Sequence, residues 1–398
     1  MAIKYRELKK MAEGLGAAET THRLREAMDS GQLKPKDFSL RRLAETFMGA
    51  EFIECIDPES RDYIKAARML AESGSAVDST SFSNITGQIV YSQIMQGYNG
   101  PNRLATQLVP TTSTQLSGEK IPGVQKVSDQ GDDLITNEQE PYPTYGIGED
   151  YIETAETLKR GLKVNVTLEA VYFDRTNLVL QRASEVGDVL GTNKEKRLWD
   201  VILGITNNYK QTGTEYNTYN ETATGTLPAN YLTNNQLQDY TDLDAVEQLF
   251  DQFSDPYTGE PIVIEKPDMI VAKALKSTAR HILNSTEIRK NTDTNTITNL
   301  SPVDKDLVDY NLMTSTYVRR RLVANAVSAA VANNTYIIGD IGKAFTYMEN
   351  WPITIASAPT NNQLMFDQDI VYQYKASERG VAQVMDPRYV VKCDTSGA

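Results

Sequence analysis

Between Lys126 and Lys159 the chain carries no basic residue, while Asp129, Asp132, Asp133, Glu138, Glu140, Glu149, Asp150, Glu153 and Glu156 accumulate. Gly118, Gly123, Gly131, Gly146 and Gly148, with Pro122, Pro141 and Pro143, punctuate the same region. Glycine and proline interrupt regular elements, and like charges that cannot pair are kept in water. A connection this long is uncommon in a compact domain unless it serves as a functional arm. The stretch therefore predicts a projecting two-stranded hairpin over roughly 114–162. A two-stranded ribbon is marginal alone and needs a surface to rest on.

The flanking segments have recognisable periods. In residues 1–75 the run FSLRRLAETFMG places Leu40, Leu43, Ala44 and Phe47 on one helical face. Asp57-Pro58 signals another helix start, followed by Tyr63, Ile64, Ala67, Leu70 and Ala71 and stopped at Gly74. Such short helices make no large core alone and should lie on a neighbouring lobe or subunit. Residues 75–83 are small and polar, a linker, and FSNITGQIVYSQIMQGY then predicts a helix ending near Gly97 and Gly100-Pro101. LATQLVPTT, residues 104–112, suggests a strand.

GLKVNVTLEA alternates Leu162, Val164, Val166 and Leu168 and predicts a strand. Asp174 should cap a long helix with Leu178, Val179, Ala183, Val186 and Leu190 on its apolar face. That helix continues to about residue 203, with a kink near Thr192-Asn193 and with Gly187 and Gly191 as hinges. An Asn-, Thr-, Tyr- and Gly-rich loop with short strands follows to about 237. Thr241 and Asp244 resemble a capping box for a helix carrying Leu243, Val246, Leu249, Phe250 and Phe253. Met269-Ile270-Val271 should be a buried strand, Ala274–Leu283 a helix, and 317–325 and 335–339 strands, so that 238–339 forms an α/β lobe. Near the C-terminus, two long period-two strands are expected around Glu378-Arg379-Gly380, with a turn at Asp386-Pro387.

The 398 residues suffice for two or three lobes with real cores. No apolar run approaches the roughly 18 residues of a membrane span, and MAIKYRELKK has no signal-peptide core, so cytoplasmic synthesis is expected. Net charge is −13. Residues 1–75 hold 13 basic and 13 acidic side chains, so all of the acidic excess lies beyond them. That balance argues against a DNA-gripping face and favours a surface that shuns phosphate. The 21 tyrosines suit either surfaces buried on assembly or a merely tyrosine-rich fold.

Catalytic patterns are missing. His22 and His281 have no GxSxG or cysteine motif nearby, and Cys55 and Cys393 form no CxxC pair, so neither a hydrolase nor structural zinc is indicated. Gly339-Asp340-Ile341-Gly342-Lys343 lacks both the spacing and the hydroxyl residue of a phosphate loop, because Ala344 follows the lysine. The acidic arm lacks the calcium-loop spacing. No cofactor or metal is expected. Arg319-Arg320-Arg321 is the densest basic cluster; on a strand, Arg320 would point away from its two neighbours, and these arginines are expected to meet carboxylates of an adjoining subunit.

The order of arm, hairpin, strand, long helix, α/β lobe and closing strands resembles the Hong Kong 97-type capsid proteins of tailed bacteriophages. The residues carrying the resemblance are VNVTLEAVYFDRTNLVLQRASEVGDVLGTNKEKRLWDVILG and FDQDIVYQYKASERGVAQVMDPRYVVK, within a likeness over about 76–398. It implies an α+β fold with a 76–113 N-terminal arm and a 114–162 extended loop. It further implies a peripheral domain from 163–237 and 340–398, with spine helix 175–203, and an axial domain at 238–339. Residues 1–75 become a helical extension, a clasp on neighbours or the counterpart of a removed scaffolding segment. The implied function is a major capsid protein of the virion, a homo-oligomer of hexamers and pentamers. It would enclose double-stranded DNA without reading sequence, bind no membrane, and meet portal, scaffold or decoration proteins. Inter-subunit contact candidates are Asp129, Asp132, Asp133, Glu138, Glu140, Arg319, Arg320 and Arg321. Some members cross-link a loop lysine to a neighbour's asparagine; Lys120 or Lys126 with Asn350 or Asn361 supply those residue types, without a residue-by-residue match. An encapsulin-like compartment and a cytoplasmic α/β enzyme remain the alternative readings.

Overall fold

The computed structural model describes residues 5–34, 38–48, 76–122, 151–167, 178–225, 227–255, 261–264, 267–284, 287–292, 296–302, 310–358, 368 and 370–396. In chain order come α1 (Tyr5–Leu15), α2 (Ala17–Asp29), α3 (Leu40–Met48), α4 (Ala76–Tyr98), α5 (Leu104–Leu108), β1 (Thr111–Ser113), β2 (Lys120–Pro122), β3 (Tyr151–Glu153) and β4 (Leu158–Thr167). Then follow α6 (Leu178–Ile202), β5 (Tyr209–Gln211), β6 (Thr214–Tyr216), β7 (Tyr231–Leu232), α7 (Tyr240–Asp251), β8 (Asp268–Ala272), α8 (Lys276–Leu283), β9 (Glu287–Thr292) and β10 (Thr296–Pro302). The series closes with β11 (Asn311–Ser315), α9 (Thr316–Ala324), α10 (Ala329–Asn333), β12 (Tyr336–Gly339), α11 (Ile341–Ala344), β13 (Phe345–Ser357), β14 (Ile370–Val384) and β15 (Val390–Cys393). They form two compact units: Met1–Arg103 with Lys159–Lys194 and Trp351–Arg379, and Leu104–Leu158 with Glu195–Asn350 and Gly380–Ala398.

In the first unit the N-terminal helices pack on α4. Leu8 and Ala12, Leu24 and Met28, and Leu43, Ala44 and Phe47 meet Ile85, Ile89, Val90 and Ile94 in one core with Val164, Val166, Leu180, Ala183, Ile353 and Tyr374. Fully burying each large aliphatic side chain is worth roughly 1.5–3 kcal/mol, which short helices lack when isolated. The expected linker at 75–83 is corrected, since α4 already begins at Ala76. No proline or glycine stands between Ala76 and Thr86, and serine and threonine cost a helix only tenths of a kcal/mol. A helix nucleated downstream therefore propagates through them. The helix expected after Asp57-Pro58, including Tyr63 to Gly74, lies outside the described residues, as do Leu168 and Asp174.

The glycines of α6 are not hinges. A Cβ on Gly187 would overlap the Ile94 carbonyl oxygen, one on Gly191 the Arg103 guanidinium, and one on Gly97 of α4 the Ser184 carbonyl oxygen. Missing side chains let α4 and α6 touch backbone to backbone, and α6 runs unbroken through Thr192-Asn193 where a kink was expected. Beside them β13, β14 and β4 lie in that order, with β4 at the sheet edge.

The second unit is built on a five-stranded sheet, β11-β8-β12-β15-β7. All four residues of β12 and the last four of β8 are buried, the mark of strands covered on both faces. Alternation sends Ile270, Ala272 and Ile337 to one face with Trp199, Val318 and Leu322. Met269, Val271, Tyr336 and Ile338 go to the other with Leu243, Val246, Phe253 and Ala279. Tyr231–Leu232 and Val390–Cys393, which the sequence suggests for a peripheral domain, complete this sheet.

Five more local expectations are corrected here. Segment 317–325 is helix α9, capped by the Ser315 hydroxyl, which accepts from the Tyr317 N–H at 3.1 Å, and anchored by buried Val318 and Leu322 four residues apart. The capping box of α7 is Asp239 with Asp242 rather than Thr241 with Asp244. Residues 104–108 are helical, with strand geometry starting only at Thr111. One continuous strand, β14, passes through Glu378-Arg379-Gly380. The paired base of the arm is narrower than 114–162: β2 runs antiparallel to β3 with Lys120 opposite Glu153, and β3 also pairs β5. β4 joins β14 in another sheet.

Candidate functional site

No single catalytic centre organises the described residues, so the chemistry must be sought in the charged groups and their partners. His22 is exposed on α2, with Nδ1 3.6 Å from Glu26 Oε1 one turn on. His281 lies in the last turn of α8. Cys393 is fully buried, and burial pushes its thiol up to about 12, so it is no thiolate nucleophile near neutrality. Cys55 lies outside the described residues. Among the described residues no group of three or more His, Cys, Asp or Glu could hold a metal, and no helix is long and apolar enough to cross a membrane. Asp340 caps the four-residue helix α11 by accepting from the Lys343 N–H, and its carboxylate meets the Lys343 ammonium at 3.2 Å. This apparent phosphate loop is thus a self-paired turn.

The arginine cluster separates into two kinds. On α9, Arg321 donates Nε and Nη2 to the two carboxylate oxygens of Asp200 at 2.6 and 2.7 Å, a bidentate fork inside its own chain. That charge-assisted pairing raises the already high Arg321 pKa. Arg319 and Arg320 are exposed. Successive helical positions turn by about 100°, so the alternating orientation expected of a strand does not apply.

The base of the acidic arm is held by ion pairs. Glu153 on β3 lies 2.7 Å from Lys210 Nζ and 3.5 Å from Lys120 Nζ. The hydrogen bond from Lys210 holds its carboxyl below the usual range. Lys120 Nζ also sits 4.2 Å from the centre of the Tyr151 ring. Asn350 donates its amide to the carbonyls of Thr114 and Leu116 at 3.1 and 2.9 Å, tying down the entry to the arm. Lys126, Asn361 and the candidates Asp129, Asp132, Asp133, Glu138 and Glu140 lie outside the described residues.

Two constellations escape a linear reading. Glu195, 1% exposed on α6, accepts from the backbone of Ala105 and Thr106, the Thr106 hydroxyl and the Trp199 indole at 2.8–3.0 Å. In the first unit, Trp351 of β13 has Arg379 Cζ 5.5 Å and Lys159 Nζ 6.0 Å from its ring centre. The Glu-x-x-x-Trp spacing is visible in the sequence; the cation–aromatic group has no short-range signal, because its members are scattered along the chain.

Among solved structures, the chain is similar to the capsid of a native GTA particle at 12% identity, with a TM-score of 0.45 and coverage of 74% of this chain and 90% of that one. It is likewise similar to the bacteriophage PhiM1 mature capsid at 10% identity and TM-score 0.44, covering 74% and 87% of the two chains. A virus-like particle from Pyrococcus furiosus aligns at 10% identity and TM-score 0.40, over 76% of this chain and 96% of that one. No curated protein matches the sequence. Residues 151–393, more than half of the 398, match the model of the phage capsid protein family, and the chain belongs to that family of shell-building proteins.

Proposed function

We propose that the chain is the major subunit of an icosahedral phage head, self-assembling as hexamers and pentamers into a Hong Kong 97-type shell around double-stranded DNA in the virion. The observation that carries this reading is the family match across residues 151–393. Its role is structural rather than catalytic. The five-stranded sheet with β7 and β15 serves as the core of the axial domain. The acidic arm reaches an adjoining subunit through Asp129, Asp132, Asp133, Glu138 and Glu140, and exposed Arg319 and Arg320 meet that subunit's carboxylates. Arg321 is left out of this contact, since Asp200 of its own chain supplies its carboxylate. The helices before α4 act as a clasp, and portal, scaffold and decoration proteins complete the particle. Assembly takes place in the host cytoplasm.

Electron microscopy of the expressed protein tests the proposal directly. Closed icosahedral shells are expected, and a lasting monomer under assembly conditions would sink it. Particles isolated from their native context should hold double-stranded DNA and a portal vertex; an enzyme cargo instead would establish the encapsulin-like alternative.

A further inference from the structure

Helix α4 is apolar on more than one side. A Cβ on Gly87 would lie 3.5 Å from the Tyr374 ring and one on Gly97 would meet the Ser184 carbonyl, so one side faces β14 and α6. Ile85, Ile89, Val90 and Ile94 are fully buried, in a core shared with Leu8 and Ala12, Leu24 and Met28, and Leu43, Ala44 and Phe47. A helix this apolar needs cover on each of these sides. That cover comes from α1, α2 and α3, and it is built as a unit. Phe38, also fully buried, meets the Tyr5 ring edge-on with centroids 6.5 Å apart. The Tyr5 hydroxyl accepts from the Ser39 N–H at 2.8 Å, tying the start of α1 to the chain just before α3. Arg25 of α2 lies over the Tyr91 ring of α4, 5.4 Å from its centre. The outward charges of α2 pair among themselves, Arg23 with Glu19 at 3.2 Å and Arg25 with Asp29 at 3.7 Å. Apolar side chains thus point to α4 and charges to water.

We infer that residues 5–48 are a permanent strap on the subunit's own α4, kept in the finished particle rather than cut away as a scaffolding segment. A removable segment must leave behind a surface that tolerates water. Taking this one off would bare Ile85, Ile89, Val90 and Ile94 together, a contiguous apolar patch of the kind that promotes aggregation. Cover and covered helix belong to one chain, so their contact forms at high effective concentration and precedes any meeting of subunits. Retention in a particle rests on the proposed shell reading; the strap itself does not.

The test places a specific protease site between Met48 and Ala76 of the full-length chain and nicks it after folding. Size-exclusion chromatography with intact-mass measurement should find the N-terminal fragment still with the soluble subunit, and with shells where they form. Loss of the fragment from a subunit that stays soluble, with its remaining circular dichroism unchanged, overturns the inference. Retention in nicked shells but not in nicked subunits would assign the cover to a neighbouring copy, and also overturns it. Leu43→Ala and Phe47→Ala, folded while uncut because the tether persists, should each release at least about threefold more fragment than wild type once nicked, since each truncation opens a cavity in the contact. Equal retention by both variants counts against a strap held through this core. Particles isolated from their native context should carry the full-length subunit mass, and particles whose subunit lacks residues 1–48 overturn retention. Absence of any particle fails the shell reading and takes retention with it, while the nicked subunit still decides the strap.

Discussion

Gly187 shows how one missing methyl group can place a long helix. Its Cβ would overlap the carbonyl oxygen of Ile94, a backbone atom that no rotamer change can move. Substituting alanine should therefore force α4 and α6 apart and destabilise the subunit by about 3 kcal/mol, at the upper end for overpacking. Gly14, on the exposed side of α1, has nothing within 4 Å of its would-be Cβ. There the same change should stabilise, by up to about 1 kcal/mol, because alanine is the better helix former. Urea unfolding of the two variants, followed by circular dichroism, should move in opposite directions. Both glycines look alike in the sequence. What separates them is a partner segment some ninety positions away, which is why the glycines of α6 suggested hinges.

At the level of elements, legibility followed the range of the deciding interaction. Helix α3 and strand β8 were readable because their own apolar spacing specifies them: Leu43, Ala44 and Phe47 on one face, Met269 to Ala272 in an unbroken buried run. Helix α5 was not, because its N-terminal N–H groups are satisfied by Glu195 from a distant segment. Glu195→Ala should thus unravel α5 and leave the buried Trp199 N–H unpaired. With unsatisfied buried donors costing roughly 1–3 kcal/mol each, a loss of at least about 3 kcal/mol is expected. Altered Trp199 fluorescence with an earlier unfolding transition would verify it, and an unchanged midpoint would contradict it. Helix α9 is hidden for a related reason: the β-branched residues in TYVRRRLVA favour a strand, and the helix start rests on a one-residue cap at Ser315.

The base of the acidic arm adds a pH-dependent prediction on the same scale. The hydrogen bond from Lys210 holds the folded Glu153 carboxyl below its ordinary value, so its ion pairs contribute stability that is present above the unfolded value. That contribution is lost as pH falls through the lower folded value. Wild type should consequently lose more thermal stability than Glu153→Gln between pH 6 and the acid range. Parallel melting curves check this; equal losses would show that the Lys210–Glu153–Lys120 group is not coupled to folding.

For the whole molecule, the order of segments revealed more than any residue pattern. Shell membership was visible in the succession of arm, long helix and closing strands, whereas the cation–aromatic group around Trp351 was not, since its members come from distant segments. Arg320 tests the proposed assembly at this scale. Reversing it to glutamate should leave monomer unfolding unchanged while abolishing shells in sedimentation, because an exposed charge contributes little to the fold and much to a complementary contact. Intact particles from Arg320→Glu would remove α9 from the interface.

Strand β15 has a consequence for timing. It lies between β12 and β7, with Tyr336 opposite Cys393 and Leu232 beside it, so the sheet cannot close until residue 393 has been synthesised. A nascent chain that has made its arm and long helix still lacks the centre of this sheet. Ribosome-bound or prematurely terminated chains are thereby kept from presenting a finished lobe.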